Sequence, residues 1–389
     1  LSGLARRGFI KNVWYKRTFS LDKNWKSPRT VLHIGACDWQ TDVWLNGKLL
    51  GTHQGGSAPV VFEITKYLNE GKNTVVINAF DDTRSGIQET GKQSQEEESF
   101  GCLYTRVTGV WQSVWLEGVG SSYIKSYKVE CYPDSSRIVL TPDIDIDKTG
   151  LTIRVVAYAG KKVVGTAEVP IGSENTKLNL KLSEKHIWTI EKPFLYDLKF
   201  FIMDGDKVVD ELNSYFGLRT VTIKGAAIII NDKAVFQRLI LDQGYYPDGI
   251  WTAPSDKALK HDIELSQALG YNGARLHQKV FDPRFLYWAD KLGYIVWGES
   301  PNWGMNAGDL RSHQPFINEW KEIVKRDINH PAIIGWCPFN ETGGDAVPLQ
   351  NTVVQLTKEM DPSRPILDTS GWTHGIAEPE VMDMHDYDQ

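Results

Sequence analysis

YNGARLHQKVFDPRFLYWADKLGYIVWGE, residues 271–299, is the stretch on which the fold class turns. YNGARLH reads as a short strand, PRFLYWADKLG as a helix closing at Gly293, and YIVWGES as the next strand. A strand, a helix and a second strand in such close succession form a βα unit, and repeated units of that kind lay their strands side by side in parallel.

The alternation continues outward on both sides. Upstream, AVFQRLIL (234–241) reads as a strand, and DKALKHDIELSQALG as a helix with Leu259, Ile263 and Leu269 on helical spacing and Gly270 as its stop. Downstream, PFINEWKEIVKRDINHP predicts a helix. Its apolar stripe is Phe316, Trp320, Ile323 or Val324, and Ile328, with Pro315 near its start and Pro331 past its end. AIIGWCPFNE (332–341) is a fourth strand, VPLQNTVVQLTKEM another helix, and PILDTS and VMDMHDY two further strands. About six strands in βα order imply a parallel sheet, open or closed into a barrel.

The strand ends favour the barrel, because barrel enzymes place their chemistry on residues at the C-terminal mouth. Asp242 follows the first strand, Arg275 and His277 the second, and Glu299 the third. Asn340 and Glu341 close the fourth, Asp368 the fifth, and His385 and Tyr387 the sixth. Six functional endings are hard to explain as solvated loops.

The other half of the chain reads as β structure. TVLHIGACDWQTDVWLNGKLLG alternates, with a hairpin signal at Asn46-Gly47, and NTVVINAFDD and GVWQSVWLEGV continue the pattern to about residue 119. The acidic run Glu96–Glu98 is expected in a solvated loop. From 120 to about 220, IKSYKVECYP, RIVLTPDIDI, LTIRVVAYAG, KLNLKL and LYDLKFFIMDGDKVVDEL recur at the spacing of a small β-sandwich.

Bulk composition sets limits. With 389 residues the chain is too long for one ordinary domain. A formal net charge of -6 disfavours nucleic acid and anionic membranes as partners, and no apolar run approaches a membrane span. The 14 Trp suit flat apolar ligands such as sugar rings, although most Trp are core. Trp336, within an apolar strand, is expected to be core. Cys37, Cys102, Cys131 and Cys337 lie far apart with no metal-ligand spacing, so buried thiols are expected, and no metal or cofactor is called for. The chain opens LSGLARRGFIKNVWYKRTF, with neither an initiator Met nor a signal-like segment. A removed start or a piece of a longer protein is expected, and cytoplasmic, periplasmic and secreted locations stay open, as does a homo-oligomer.

NHPAIIGWCPFNET (329–342) strongly resembles the acid/base region of the family 2 glycoside hydrolases. VWLNGKLLGTHQGGSAPVVFEITKYL and TGVWQSVWLE are similar to that family's sugar-binding jelly roll, and YFGLRTV to the segment leading into its barrel. The resemblance implies a jelly-roll sandwich over 1–119, an immunoglobulin-like sandwich over 120–220 and an incomplete (β/α)8 barrel over 221–389. It also implies a retaining, exo-acting β-glycosidase acting on a carbohydrate substrate, with Glu341 as general acid/base. In that role a Glu at the end of an apolar strand is expected to have its pKa raised by partial desolvation. Asn340 would bind the sugar 2-hydroxyl, and Asp242, His277, His385 and Tyr387 would line the sugar subsite. Arg275 is expected to be a structural ion-pair partner and Glu299 a supporting carboxylate.

The family's nucleophile, a Glu ending the seventh strand, has no counterpart up to Gln389 and is expected in a continuation, so this chain alone is expected to be inactive. β-Galactosidase is the first expectation for specificity, with β-glucuronidase, β-mannosidase or a non-catalytic carbohydrate-binding scaffold as alternatives. In galactosidases and glucuronidases an Asp from the jelly-roll loop reaches the sugar. That loop here reads Gly101-Cys102-Leu103-Tyr104, a departure that bears on both specificities.

Overall fold

The computed structural model describes residues 7–172 and 176–388. The first sandwich packs a four-stranded antiparallel sheet against a three-stranded one. The larger sheet runs Asn12–Ser20, Lys72–Phe80, Gln40–Leu45, Lys48–Gln54, and the smaller Val60–Glu63, Arg29–Ile34, Val114–Val119. Alternation along Gln40–Leu45 turns Thr41, Val43 and Leu45 inward, where they meet Leu32, Ile34, Val60 and Ile77. The hairpin leaving that strand turns on Asn46 (φ 52°) and Gly47 (φ 80°). Both lie in the left-handed region that a two-residue hairpin turn demands, and Asn and Gly tolerate it best.

A second sandwich pairs Tyr123–Tyr132, Arg137–Asp145 and Leu178–Lys181 against Lys162–Pro170, Thr152–Ala159, Tyr196–Asp204 and Lys207–Phe216. Ile138, Leu140, Ile153, Leu198 and Phe200 fill its centre. Arg219 then ties this unit to the next, donating to the carbonyls of Pro331 (3.0 Å) and Ile333 (2.8 Å).

The remainder is a partial barrel. Its strands are Leu239–Asp242, Gly273–Leu276, Ile295–Glu299 and Ile333–Cys337, all parallel and hydrogen-bonded in chain order. The helices between and after them are α1 (Asp256–Ala268), α2 (Pro283–Leu292), α3 (Leu310–Asp327) and α4 (Val347–Met360). Two more segments take the fifth and sixth places: Ile366 pairs with Trp336, Ser370 with Asn340, and Val381 with Leu367, each in parallel. Strand order therefore advances in one direction without the reversal of a doubly wound sheet.

Three local expectations change. Pro315 lies inside α3, which starts at Leu310 because Asp309 caps it, its side chain accepting from Arg311 N at 2.9 Å. Leu269 is 78% exposed, since α1 ends one residue earlier. Cys102 is exposed and Cys131 half-buried, so only Cys37 and Cys337 are the buried thiols expected, and all four are free.

Helix α3 also locks the barrel to the first sandwich. Glu319 is 1% exposed, and its Oε1 accepts from Ser57 N (2.6 Å) and Ala58 N (3.2 Å), while Oε2 has no partner. Gly55, at φ +130°, gives it room, because a Cβ there would lie 2.8 Å from the Glu319 carboxyl carbon. Burial raises the Glu319 pKa from 4.5 to about 7, against the pull of the two amides and His53. The folded chain thus holds this proton more tightly than the unfolded chain. Glu319 costs nothing below about pH 4.5 and increasingly destabilises the fold as pH rises toward 7, by on the order of 3 kcal/mol at most. Glu319→Gln, which keeps the acceptor oxygen, should therefore raise Tm clearly at pH 8 and little at pH 5. Equal shifts at both pH values in thermal melts would rule this out.

Candidate active site

The mouth of the partial barrel is organised by one guanidinium. Arg275, on the second strand, donates from Nε to Glu299 Oε2 (2.5 Å), from one terminal nitrogen to Ser370 Oγ (2.5 Å), and from the other to Asn340 Oδ1. Glu299 ends the third strand fully buried; burial alone would raise its pKa, but Arg275 and His277 bring it down to about 2. His277 Nδ1 sits 3.0 Å from both Arg275 and Glu299 Oε1. Arg275 is thus the structural ion-pair partner that the sequence suggests, reaching three other strands.

Asn340 is 1% exposed and held on every side but one. Its backbone N–H donates to Asn302 Oδ1 (2.9 Å), and its carbonyl accepts from Asn302 Nδ2 (3.3 Å) and Trp303 Nε1 (3.1 Å). Arg275 fixes the amide so that Oδ1 is the acceptor, which leaves the buried Nδ2 with no partner.

Glu341 follows in a left-handed backbone conformation, φ 49°, uncommon for a residue with a side chain. Its amide donates to Ser370 O at 2.9 Å. Its Oε1 lies 2.6 Å from His385 Nδ1 and accepts from the Tyr387 hydroxyl. His385 Nε2 in turn reaches Ser370 Oγ at 2.9 Å. Glu341, Asn340, His277, His385 and Tyr387 therefore belong to one hydrogen-bonded network. The expected rise in the Glu341 pKa is overturned. Desolvation pushes it up, but the hydrogen bonds from Tyr387 and His385 and the charges of His385 and Lys92 push it further down. The same bond raises the Tyr387 hydroxyl to about 12.

Two other strand-end residues lie in clusters of their own. Asp242 accepts from Gly244 N (2.9 Å), is raised by burial, and faces Lys279, whose ammonium donates to the carbonyls of Gly244 and Trp251. Asp368 is fully buried, holding His374 Nδ1 at 2.7 Å and Gly375 N at 3.1 Å. Trp336 is core, its Nε1 donating to Asp361 at 2.8 Å. Residues that strand-end reasoning missed include Ser370, Asn302, Trp303 and Gln278. Gln278, at φ 53°, donates from its backbone to Glu299 and from its side chain to Asn302. Asn302 and Trp303 sit in a loop, and no local pattern marks them.

Among the described residues no group of three or more His, Cys, Asp or Glu could hold a metal ion. No described helix is long and apolar enough to cross a membrane.

Family models described as glycosyl hydrolases family 2, sugar binding domain, glycosyl hydrolases family 2, and glycosyl hydrolases family 2, TIM barrel domain match residues 5–116, 134–219 and 221–385 respectively. The beta-galactosidase of Thermoanaerobacter pseudethanolicus is 25% identical over 365 residues, covering 90% of this chain and 48% of its own length. The beta-glucuronidase of Paenibacillus borealis is 25% identical over 413 residues, covering 93% and 64%. A b-glucuronidase from Ruminococcus gnavus in complex with D-glucuronic acid shares the fold, with TM-score 0.79 and 23% identity over 93% of this chain and 63% of that one. The chain spans about half the length of the curated relatives it matches.

Proposed function

The chain belongs to the family 2 glycosyl hydrolases, and from that premise we propose that it carries the acid/base half of a retaining, exo-acting β-glycosidase. Glu341 protonates the leaving oxygen and then activates water. Asn340 donates Nδ2–H to the sugar 2-hydroxyl, His385 and Tyr387 position the Glu341 carboxyl, and the nucleophile is a second carboxylate outside this network. The observation that carries this reading is the pairing of Glu341 with an adjacent, buried amide whose N–H groups are uncommitted. A buried donor without a partner costs about 1–3 kcal/mol, and a hydroxyl of a bound sugar would satisfy it.

The low pKa of Glu341 fits the same reading. Alone, its carboxyl is held below the usual carboxylate range by the Tyr387 and His385 hydrogen bonds, which disfavours proton donation. A retaining enzyme sets its second carboxyl about 5–5.5 Å away, and the like charge favours protonation of one of the two. The reading therefore assigns completion of the acid to the proposed nucleophile. Relatives bear the names of two sugars, β-galactoside and β-glucuronide. Asp242, held by its own loop amide beside Lys279 and apart from the Glu341 network, is assigned a sugar contact on its strand-end position alone. A non-catalytic scaffold would have no use for the His385–Glu341–Tyr387 arrangement.

Asn340 supplies the test. In the full-length enzyme, Asn340→Ala should lower kcat and kcat/KM together by about 2–4 kcal/mol of transition-state stabilisation, with KM nearly unchanged. A 2-deoxy glycoside already lacks the interaction and should lose little. An equal loss on both sugars would make Asn340 a scaffold residue.

A further inference from the structure

Trp372 sets an open indole at the barrel mouth. It lies in the turn that leaves the fifth strand position, two residues after Ser370, and is 46% exposed. Its ring stands edge-on to the His385 imidazole with centroids 5.9 Å apart, and His385 Nδ1 is 2.6 Å from Glu341 Oε1. A single imidazole therefore separates this indole from the proposed acid/base.

The turn is built to hold it there. Gly371 sits at φ +108° and Thr373 at φ +60°, and a positive φ is a genuine outlier for a β-branched residue. Backbone strain of this kind persists only where the surroundings over-determine it. Here Gly371 N donates to Asp383 Oδ1 (2.8 Å) and Gly375 N to Asp368 Oδ2 (3.1 Å). His374 bridges the Asp368 carboxylate (2.7 Å) and the Asp383 carbonyl (3.0 Å). A Cβ on Gly371 would lie 2.9 Å from His385 Nδ1, the atom that meets Glu341, so glycine is what lets the imidazole pack against the turn. Asp368, buried and outside the Glu341 network, thus has a use: it anchors the turn that carries Trp372.

An indole half open to water offers apolar area that a flat ring can cover. Glu341 decides which ring. Both contacts to its carboxyl, from Tyr387 and His385, are made at Oε1, which leaves Oε2 for the scissile oxygen. In the proposed function the sugar being cleaved lies toward Asn340, and the departing group lies on the other side of that oxygen. Trp372 joins the network through His385, on the Glu341 side.

We propose that Trp372 is the platform on which the leaving group stacks, so that the enzyme favours glycosides whose leaving group presents a flat apolar ring face, a pyranose or an aryl ring. The proposal rests on the glycosidase reading and adds to it the second half of the substrate.

The test keeps one glycone and changes the leaving group. p-Nitrophenyl β-D-galactoside and p-nitrophenyl β-D-glucuronide first show which sugar the full-length enzyme accepts. The methyl glycoside, the phenyl glycoside and the disaccharide with glucose as leaving group are then compared for that sugar. Trp372→Ala should lose roughly tenfold in kcat/KM on the phenyl glycoside, the size of one ring-on-ring contact, and less than about threefold on the methyl glycoside, which has no ring to stack. Trp372→Phe should keep most of the phenyl activity. A matching loss on the disaccharide assigns the platform to a sugar leaving group, and a loss on the phenyl glycoside alone assigns it to an aromatic one. If Trp372 only holds His385 against Glu341, the methyl glycoside suffers as much or more, because the poorer leaving group depends more on the acid. That result, or an equal loss on all three, overturns the proposal and leaves the glycosidase intact. A wild type that cleaves none of them overturns the glycosidase reading and the proposal with it. Should Trp372→Ala fail to fold, as its melting curve would show, Trp372→Leu keeps bulk beside His385 without a flat face and gives the same comparison.

Discussion

Glu341→Gln in the full-length enzyme is expected to cut kcat/KM by roughly two to four orders of magnitude on glycosides with poor leaving groups. On activated aryl glycosides the loss should be far smaller, because a stable phenolate leaves without help. The substitution preserves size and can still meet the Tyr387 hydroxyl, so the missing proton is what the comparison reads. Equal losses on both substrate types would take the acid role away from Glu341. The base role gives a second readout: azide, which needs no general base, should restore turnover of the aryl glycoside in the variant.

Arg275→Met should cost about 3–5 kcal/mol of stability, measured by denaturant unfolding at pH 7. It strips the counter-charge from Glu299, whose side chain is fully buried and whose pKa of about 2 depends on Arg275. In the wild type that depressed pKa contributes stability above about pH 4.5, and this is lost only as pH falls toward 2. In the variant Glu299 can be accommodated only by taking up a proton, so the penalty should shrink at pH 5. Pairing the change with Glu299→Gln should recover part of the loss, since a buried neutral pair is cheaper than a lone buried charge. A cost below about 1 kcal/mol would mean that water reaches Glu299 and that Arg275 is not the organiser of the mouth.

Much of this architecture is written in local pattern. The βα alternation, the Asn46-Gly47 turn and the stripe Phe316, Trp320, Ile323, Ile328 are all short-range signals, and the chain folds as they indicate except that the first barrel strand starts at Leu239 rather than 234 and the fifth and sixth strand positions pair only through isolated bridges. The placement of Asn340 and Glu341 at a strand end is equally local. Tertiary structure decided what those groups are paired with, and so what they can do. Adjacency to an apolar strand suggested a raised pKa for Glu341, yet its sign is the difference between desolvation and hydrogen bonds from His385 and Tyr387, residues far along the chain. Asp368 ended a strand like the others, but His374 and Gly375 claimed it. Lys92 carried no signal at all until Gly91 docked its loop against Gln278 and set it over Trp303. Periodicity is a property of neighbours in sequence, which is why the elements could be read from it. Burial and charge are sums over neighbours in space, and only the folded chain supplies those.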